Sequence, residues 1–171
     1  PKVQYRLPTF LTNDYYYNLF LLDRFRWGKE MVDTTETLKL TTEGALKILL
    51  AAKEKAIEMG VPQCISIVDT GGHLLAFLRM EGAFVQSIIS SRRKAETAAI
   101  YGLPTGNIAE GIDLKLAIVT DGQRVNLPGG LPVIVDGHVI GGIGVGSGTG
   151  GQDLEVAKVG VAAIKDAKIF D

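Results

Sequence analysis

Residues 64–97 read CISIVDTGGHLLAFLRMEGAFVQSIISSRRKAET, and this stretch decides the fold. Residues 65–68 are apolar and rich in β-branched side chains, which suits a buried strand. Asp69-Thr70-Gly71-Gly72 then supplies the residues of a tight turn, and residues 74–78 form the return strand of a hairpin. The second strand delivers Arg79 to its end, and Met80-Glu81-Gly82-Ala83 makes an elbow. A helix is expected over residues 84–101, with Ser87, Ser91, Lys94 and Ala98 on one face at spacings of three and four. Small residues on that face allow a backbone or a ligand to come close. Arg92 and Arg93 fall on other faces and read as solvated.

Working outward, the same grammar recurs. Upstream, residues 34–41 form a polar linker, and a helix starts at Thr41 or Thr42 with Glu43 in its first turn, where the helix dipole favours a carboxylate. Gly60 and Pro62 stop it. Downstream, Gly129-Gly130 opens a second hairpin: residues 131–135, the two-residue turn Asp136-Gly137, and residues 138–145. A closing helix is expected over 152–168. Between the halves, residues 105–128 carry little pattern; 107–113 suit a short helix, and 115–120 suit a strand or the end of that helix. Residues 1–33 differ from the rest. They hold most of the aromatic side chains, among them Tyr15, Tyr16, Tyr17 and Trp27, and read as an arm over a neighbouring subunit or a lid on a pocket.

Composition narrows the function. The chain has 171 residues, a formal net charge of -1 and 22% charged residues, so nothing marks a nucleic-acid surface. No apolar run reaches the length of a membrane span. The aromatic, charge-interrupted N-terminal stretch does not read as a signal peptide, and a single cysteine suits a reducing compartment, so a cytoplasmic location is expected. Cys64, at the start of an apolar strand, reads as a core residue.

Three motifs bear on chemistry. Residues 146–151, GSGTGG, match G-x-G-x-x-G between a strand and a helix, but the chain has no room after it for the second parallel strand of a dinucleotide fold. Anion binding at the helix start and a closely packed hairpin exit remain the two readings. The two histidines, His73 and His138, each follow a turn; they are too few for a zinc site, and no metal site is expected. Either histidine suffices as an axial ligand to a haem iron. Arg79, Glu81 and Lys94 form the constellation expected to be catalytic. The cations would grip a carboxylate, and the carboxylate or amine would move protons. The alternative is a salt bridge that pins the elbow.

The motifs VDTGGHLLAFLRMEGA, SIISSRRKAETAA, LPT and PGGLPVIVDGHVIGGIGVGSGTGGQD, in that order, give the chain from about residue 40 to 170 a resemblance to the GlcG/HbpS-like, haem-degrading domain family. The resemblance implies one α/β domain of the α+β type over residues 34–171. It has an antiparallel sheet of about five strands with helices packed on it, preceded by the 1–33 arm, and assembles into homo-oligomers from dimer to octamer. It adds Ser87, Thr97, Gly129, Gly130, Gln152 and Asp153 as pocket residues beside Arg79, Glu81, Gly82 and Lys94. Tyr15, Tyr16, Tyr17 and Trp27 would stack on an aromatic ligand. The expected function is a catabolic enzyme acting on a small aromatic carboxylate without a cofactor. An ammonia-releasing lyase such as a 4-hydroxylaminobenzoate lyase fits that description. The alternatives are a haem-binding or haem-sensing module and a non-catalytic metabolite-binding accessory protein.

Overall fold

Two hairpins, both written in the turn residues above, build the sheet. In a computed structural model of the chain, residues 33–171 are described, and Thr37–Asp171 forms one compact unit. Tyr15, Tyr16, Tyr17, Trp27 and the proposed arm as far as residue 32 lie outside the described residues.

Strands β1 (Cys64–Val68), β2 (Leu74–Arg79), β3 (Gly130–Val135) and β4 (His138–Gly146) form one antiparallel sheet in the order β2-β1-β4-β3. The expected count of about five strands is corrected to four among the described residues. The segment proposed as either strand or helix is helical: α3 spans Asp113–Val119 and buries none of its residues. Its neighbours Gly111 and Gly122 adopt positive φ and turn the chain at both ends, so it is never extended beside a sheet edge.

The other helices are α1 (Thr42–Glu58), α2 (Ser87–Tyr101) and α4 (Gly150–Ala162). Thr41 caps α1 by accepting a hydrogen bond from the Gly44 amide at 3.0 Å. Residue Gly102, at φ 67°, ends α2 in the left-handed conformation that favours glycine. The closing helix is shorter than expected, because a turn with Asp166 at φ 60° returns the chain so that Ala167 bridges to Val135.

Helices α1 and α4 pack together on one face of the sheet, over Ile65, Ile67, Leu131, Val133, Ile143 and Val145. Each of those side chains contributes about 1.5–3 kcal/mol by leaving water. Among the described residues the opposite face receives one helix, α2, and it is paved with small residues. Ser66 of β1, Gly144 of β4 and Gly130 of β3 lie side by side in register. A Cβ on Gly144 would overlap the Ser91 carbonyl oxygen, and one on Gly130 would come within 2.5 Å of the Lys94 carbonyl oxygen. Glycine is thus required here by the close seat of the helix, and Ser66 Oγ and Ser91 Oγ meet across it at 3.0 Å. This close seat brings the polar side chains of α2 down to the level of the sheet.

Among the described residues, no helix is long and apolar enough to cross a membrane. No group of three or more His, Cys, Asp and Glu side chains among them is placed to hold a metal ion.

Candidate functional site

Two clefts flank α2. The first, of about 290 Å³, is lined by Ser87, Ser90 and Lys94 of α2, Phe84 before it, Leu127 and Pro128, and Ser147, Gly148 and Asp153 around the start of α4. We refer to it as the lysine cleft. Lys94 is 4% exposed, and its Nζ donates to the Val145 carbonyl at 2.8 Å and to Asp153 Oδ2 at 2.7 Å. The other Asp153 oxygen accepts from the Gly148 amide at 2.9 Å. Gly129, at φ 107°, passes directly over the pair, since a Cβ there would stand 2.6 Å from Asp153 Cβ. One buried ion pair therefore ties α2 to the end of β4 and the first turn of α4.

The expected pocket residues divide at this point. Ser87, Lys94, Gly129 and Asp153 come together in or against the lysine cleft. Gly130 lies under α2 and exchanges hydrogen bonds with Thr105. Gln152 closes a capping box, with its Oε1 accepting from the Thr149 amide at 2.9 Å. Arg79 and Glu81 are exposed and line neither cleft, so the three residues expected to be catalytic are not gathered into one site.

The second cleft, of about 480 Å³, lies toward the other end of α2. We refer to it as the arginine cleft. Its charged lining is Arg92, Arg93 and Arg124 against the single carboxylate Glu96, with His73 at its edge. Glu96 is 7% exposed; its two oxygens accept from Arg92 Nε at 2.8 Å and Arg93 Nη1 at 2.7 Å. The two arginines assigned to solvent thus share one buried carboxylate at the i,i+4 and i,i+3 spacings of a helix. Arg124 stacks on the Tyr101 ring, with Cζ 3.5 Å from the centroid, and among the described residues its buried Nε has no hydrogen-bond partner. Thr97 also lines this cleft; its Oγ1 donates to the Gln123 carbonyl and accepts from the Val125 amide. It anchors the loop that carries Arg124.

His73 is held by the turn that precedes it. Asp69 Oδ1 accepts from the Gly71 amide at 2.8 Å and the His73 amide at 2.9 Å. His73 Nδ1 lies 3.2 Å from the same oxygen. A carboxylate can only accept, so Nδ1 carries the proton and, in the neutral ring, Nε2 carries the lone pair. Burial raises the Asp69 carboxyl, and the hydrogen bonds from the His73 and Gly71 amides and the His73 ring outweigh it, leaving its pKa below the ordinary value. His138, at the start of β4, is exposed and lines neither cleft. Cys64 is buried with Sγ facing the Phe84 carbonyl; burial pushes the thiol up against the opposing charge of Arg79, which keeps it a protonated core group.

The arginine cleft was the least legible part of the site. Arg124 and Gln123 sit in the patternless 105–128 segment, and Tyr101 reads from sequence as the last residue of a helix. The signals were the clustering of Arg92, Arg93 and Glu96 at helical spacing, Thr97 as a pocket residue implied by the resemblance, and His73 as a haem-ligand candidate.

Residues 40–162 match the model of a protein family described as haem degrading protein HbpS-like. An uncharacterized 15.0 kDa protein from the dhaT-dhaS intergenic region of Citrobacter freundii is 39% identical over 124 residues, 70% of this chain and 87% of that one. The crystal structure of Klebsiella pneumoniae protein ORFY superposes with a TM-score of 0.75 at 31% identity, covering 79% of this chain and 97% of that one. A PduOC–haem complex superposes with a TM-score of 0.72 at 28% identity, covering 78% of this chain and all of that one (100%).

Proposed function

The chain belongs to the HbpS-like haem-degrading protein family, and on that premise we propose that it binds haem at the arginine cleft, where His73 would hold the iron. The observation that carries the reading is the Asp69-held imidazole at the edge of a cleft with three guanidiniums and one carboxylate. A ring nitrogen whose partner is fixed by a carboxylate is the usual arrangement of a metal-bound histidine. Haem carries two propionates, and guanidiniums match carboxylates in charge and geometry. Arg124 is held in place by Tyr101 and lines the cleft, where its guanidinium can meet one of them. Ile100 and the Tyr101 ring provide apolar contact. A structural neighbour solved as a haem complex supports haem as the class of ligand.

When bound, haem supplies an iron centre able to take the His73 nitrogen. This chain's part is to present that nitrogen, to pair the propionates and to cover part of the ring. The same proposal includes self-association, because Leu114, Ile118 and Val119 of α3 are exposed apolar residues. The ammonia-releasing lyase expected from the sequence gains no observation among the described residues: Arg79 and Glu81 line neither cleft, and Lys94 is committed to Asp153.

The test is a haemin titration followed by the Soret band. A saturable shift is expected, lost in His73→Ala, retained in His138→Ala and weakened in Arg124→Ala. The absence of a shift with folded protein, or an unchanged one in His73→Ala, would overturn the reading.

A further inference from the structure

The geometry points to the lysine cleft as a second ligand site, for a small uncharged molecule with an apolar body and a carbonyl or hydroxyl oxygen. This site is separate from the haem reading and shares no lining residue with the arginine cleft.

A cleft with a lysine at a helix start would ordinarily suit a carboxylate. Here the anion is already resident. Asp153 takes the Lys94 ammonium at 2.7 Å and the Gly148 amide at 2.9 Å, and it occupies the first turn of α4, where the helix dipole favours a negative group. The Gln152 amide is taken by Thr149 Oγ1. A ligand carboxylate would therefore meet no free positive charge and would face the Asp153 carboxylate across a small space.

Hydrogen-bonding capacity is nevertheless left over. An ammonium has three donors, and Lys94 uses two, on Val145 and Asp153. The Ser87 and Ser90 hydroxyls have no hydrogen-bond partner among the described residues, and both line the cleft. Phe84, Leu127 and Pro128 supply an apolar wall on the same space. Neutral donors and acceptors beside an apolar wall select an uncharged polar molecule.

Benzamide and benzoate, which share a ring and differ in charge, separate this reading from the carboxylate one. With isotope-labelled protein, benzamide is expected to shift the backbone resonances of Ser87, Ser90, Lys94 and Gly148, and to bind at least about tenfold more tightly than benzoate. Asp153→Asn frees the Lys94 charge and should reverse that preference. Ser90→Leu fills the cleft from its rim without touching the ion pair, and should abolish the shifts even where Asp153→Asn fails to fold. The inference is overturned if benzoate binds the unaltered protein as tightly as benzamide. It is likewise overturned if neither moves those resonances at millimolar concentration, or if Ser90→Leu leaves the shifts in place.

Discussion

The lysine cleft and the arginine cleft are built from one helix, and they handle charge in opposite ways. In the first, one cation and one anion are both buried, and they cancel. In the second, one buried carboxylate faces two guanidiniums that reach solvent, with side chains 54% and 34% exposed, and a third guanidinium stands by. Burial, not the identity of the residue, separates the two. Arg93 and Lys94 are neighbours in the chain, yet one is committed to the fold and the other remains available to a ligand. A cation that must be paired to be buried is structural, and a cation with water on one side can exchange that water for an anion.

The sharpest way to break this contrast is to remove the lysine. Lys94→Met leaves Asp153 buried without its cation and should cost about 3–5 kcal/mol in denaturant unfolding. Adding Asp153→Leu to that variant should recover part of the loss, because an apolar pair carries no desolvation penalty. A cost below about 1 kcal/mol for the single variant would match an exposed pair, and would erase the distinction between the clefts. The floor that both clefts share comes next. Gly144→Ala puts a methyl where the Ser91 carbonyl oxygen sits, so α2 must lift, with an expected loss of about 1–3 kcal/mol. Lifting α2 should also weaken ligand binding at both clefts together, whereas an independent pair of sites on a rigid floor would lose only one.

How far these clefts were legible beforehand follows from the distance over which their contacts act. The turns at Asp69 and Asp136 and the capped start of α1 are written in adjacent residues, so both hairpins and that helix start read directly from the chain. The small face of α2, with Ser87, Ser91, Lys94 and Ala98, was legible as a helical repeat and is buried as that repeat implies. Partners far apart in the chain were not legible. Lys94 meets Asp153 across 59 positions; the family resemblance put both in one pocket, but nothing in either residue announced the ion pair. Arg124 reaches Tyr101 from a segment with no periodicity, whose helix α3 buries no face and so lacks the amphipathic signal that marks a packed element. Arg79 and Glu81 were singled out by their chemistry, a guanidinium and a carboxylate at one elbow, and by the family resemblance; both are exposed and line neither cleft.

On the arginine side, the matching substitution should cost less and act on binding. Glu96→Gln removes the charge shared by Arg92 and Arg93 but leaves both guanidiniums access to water. The expected loss of stability is about 1.5 kcal/mol, the scale of a charged hydrogen bond. Haemin affinity should be retained or raised, and should fall more steeply with added salt, because the cleft then holds three cations without their carboxylate. A loss of stability equal to that of Lys94→Met would show that Glu96 is as closed off as Asp153, and the contrast would fail.

The smallest expected effect lies at the edge of the arginine cleft, where Asp69 holds the turn and the His73 ring. Its folded pKa is below the ordinary value of 3.8, so it binds a proton less readily folded than unfolded. The stability it adds is therefore present above the ordinary carboxylate range and is lost as pH falls through the folded pKa. Asp69→Asn keeps an acceptor for the Gly71 and His73 amides but has no proton to take up, so it should flatten that acid limb. At neutral pH the difference should be under about 1 kcal/mol, since solvent screens a turn of this exposure. Unfolding free energies of the two proteins, measured from neutral pH down to pH about 3, near the ordinary carboxylate value, should converge as the acid is added. Parallel curves would mean that the carboxylate makes no charge-dependent contribution to the turn, and that the His73 ring is oriented by the backbone alone.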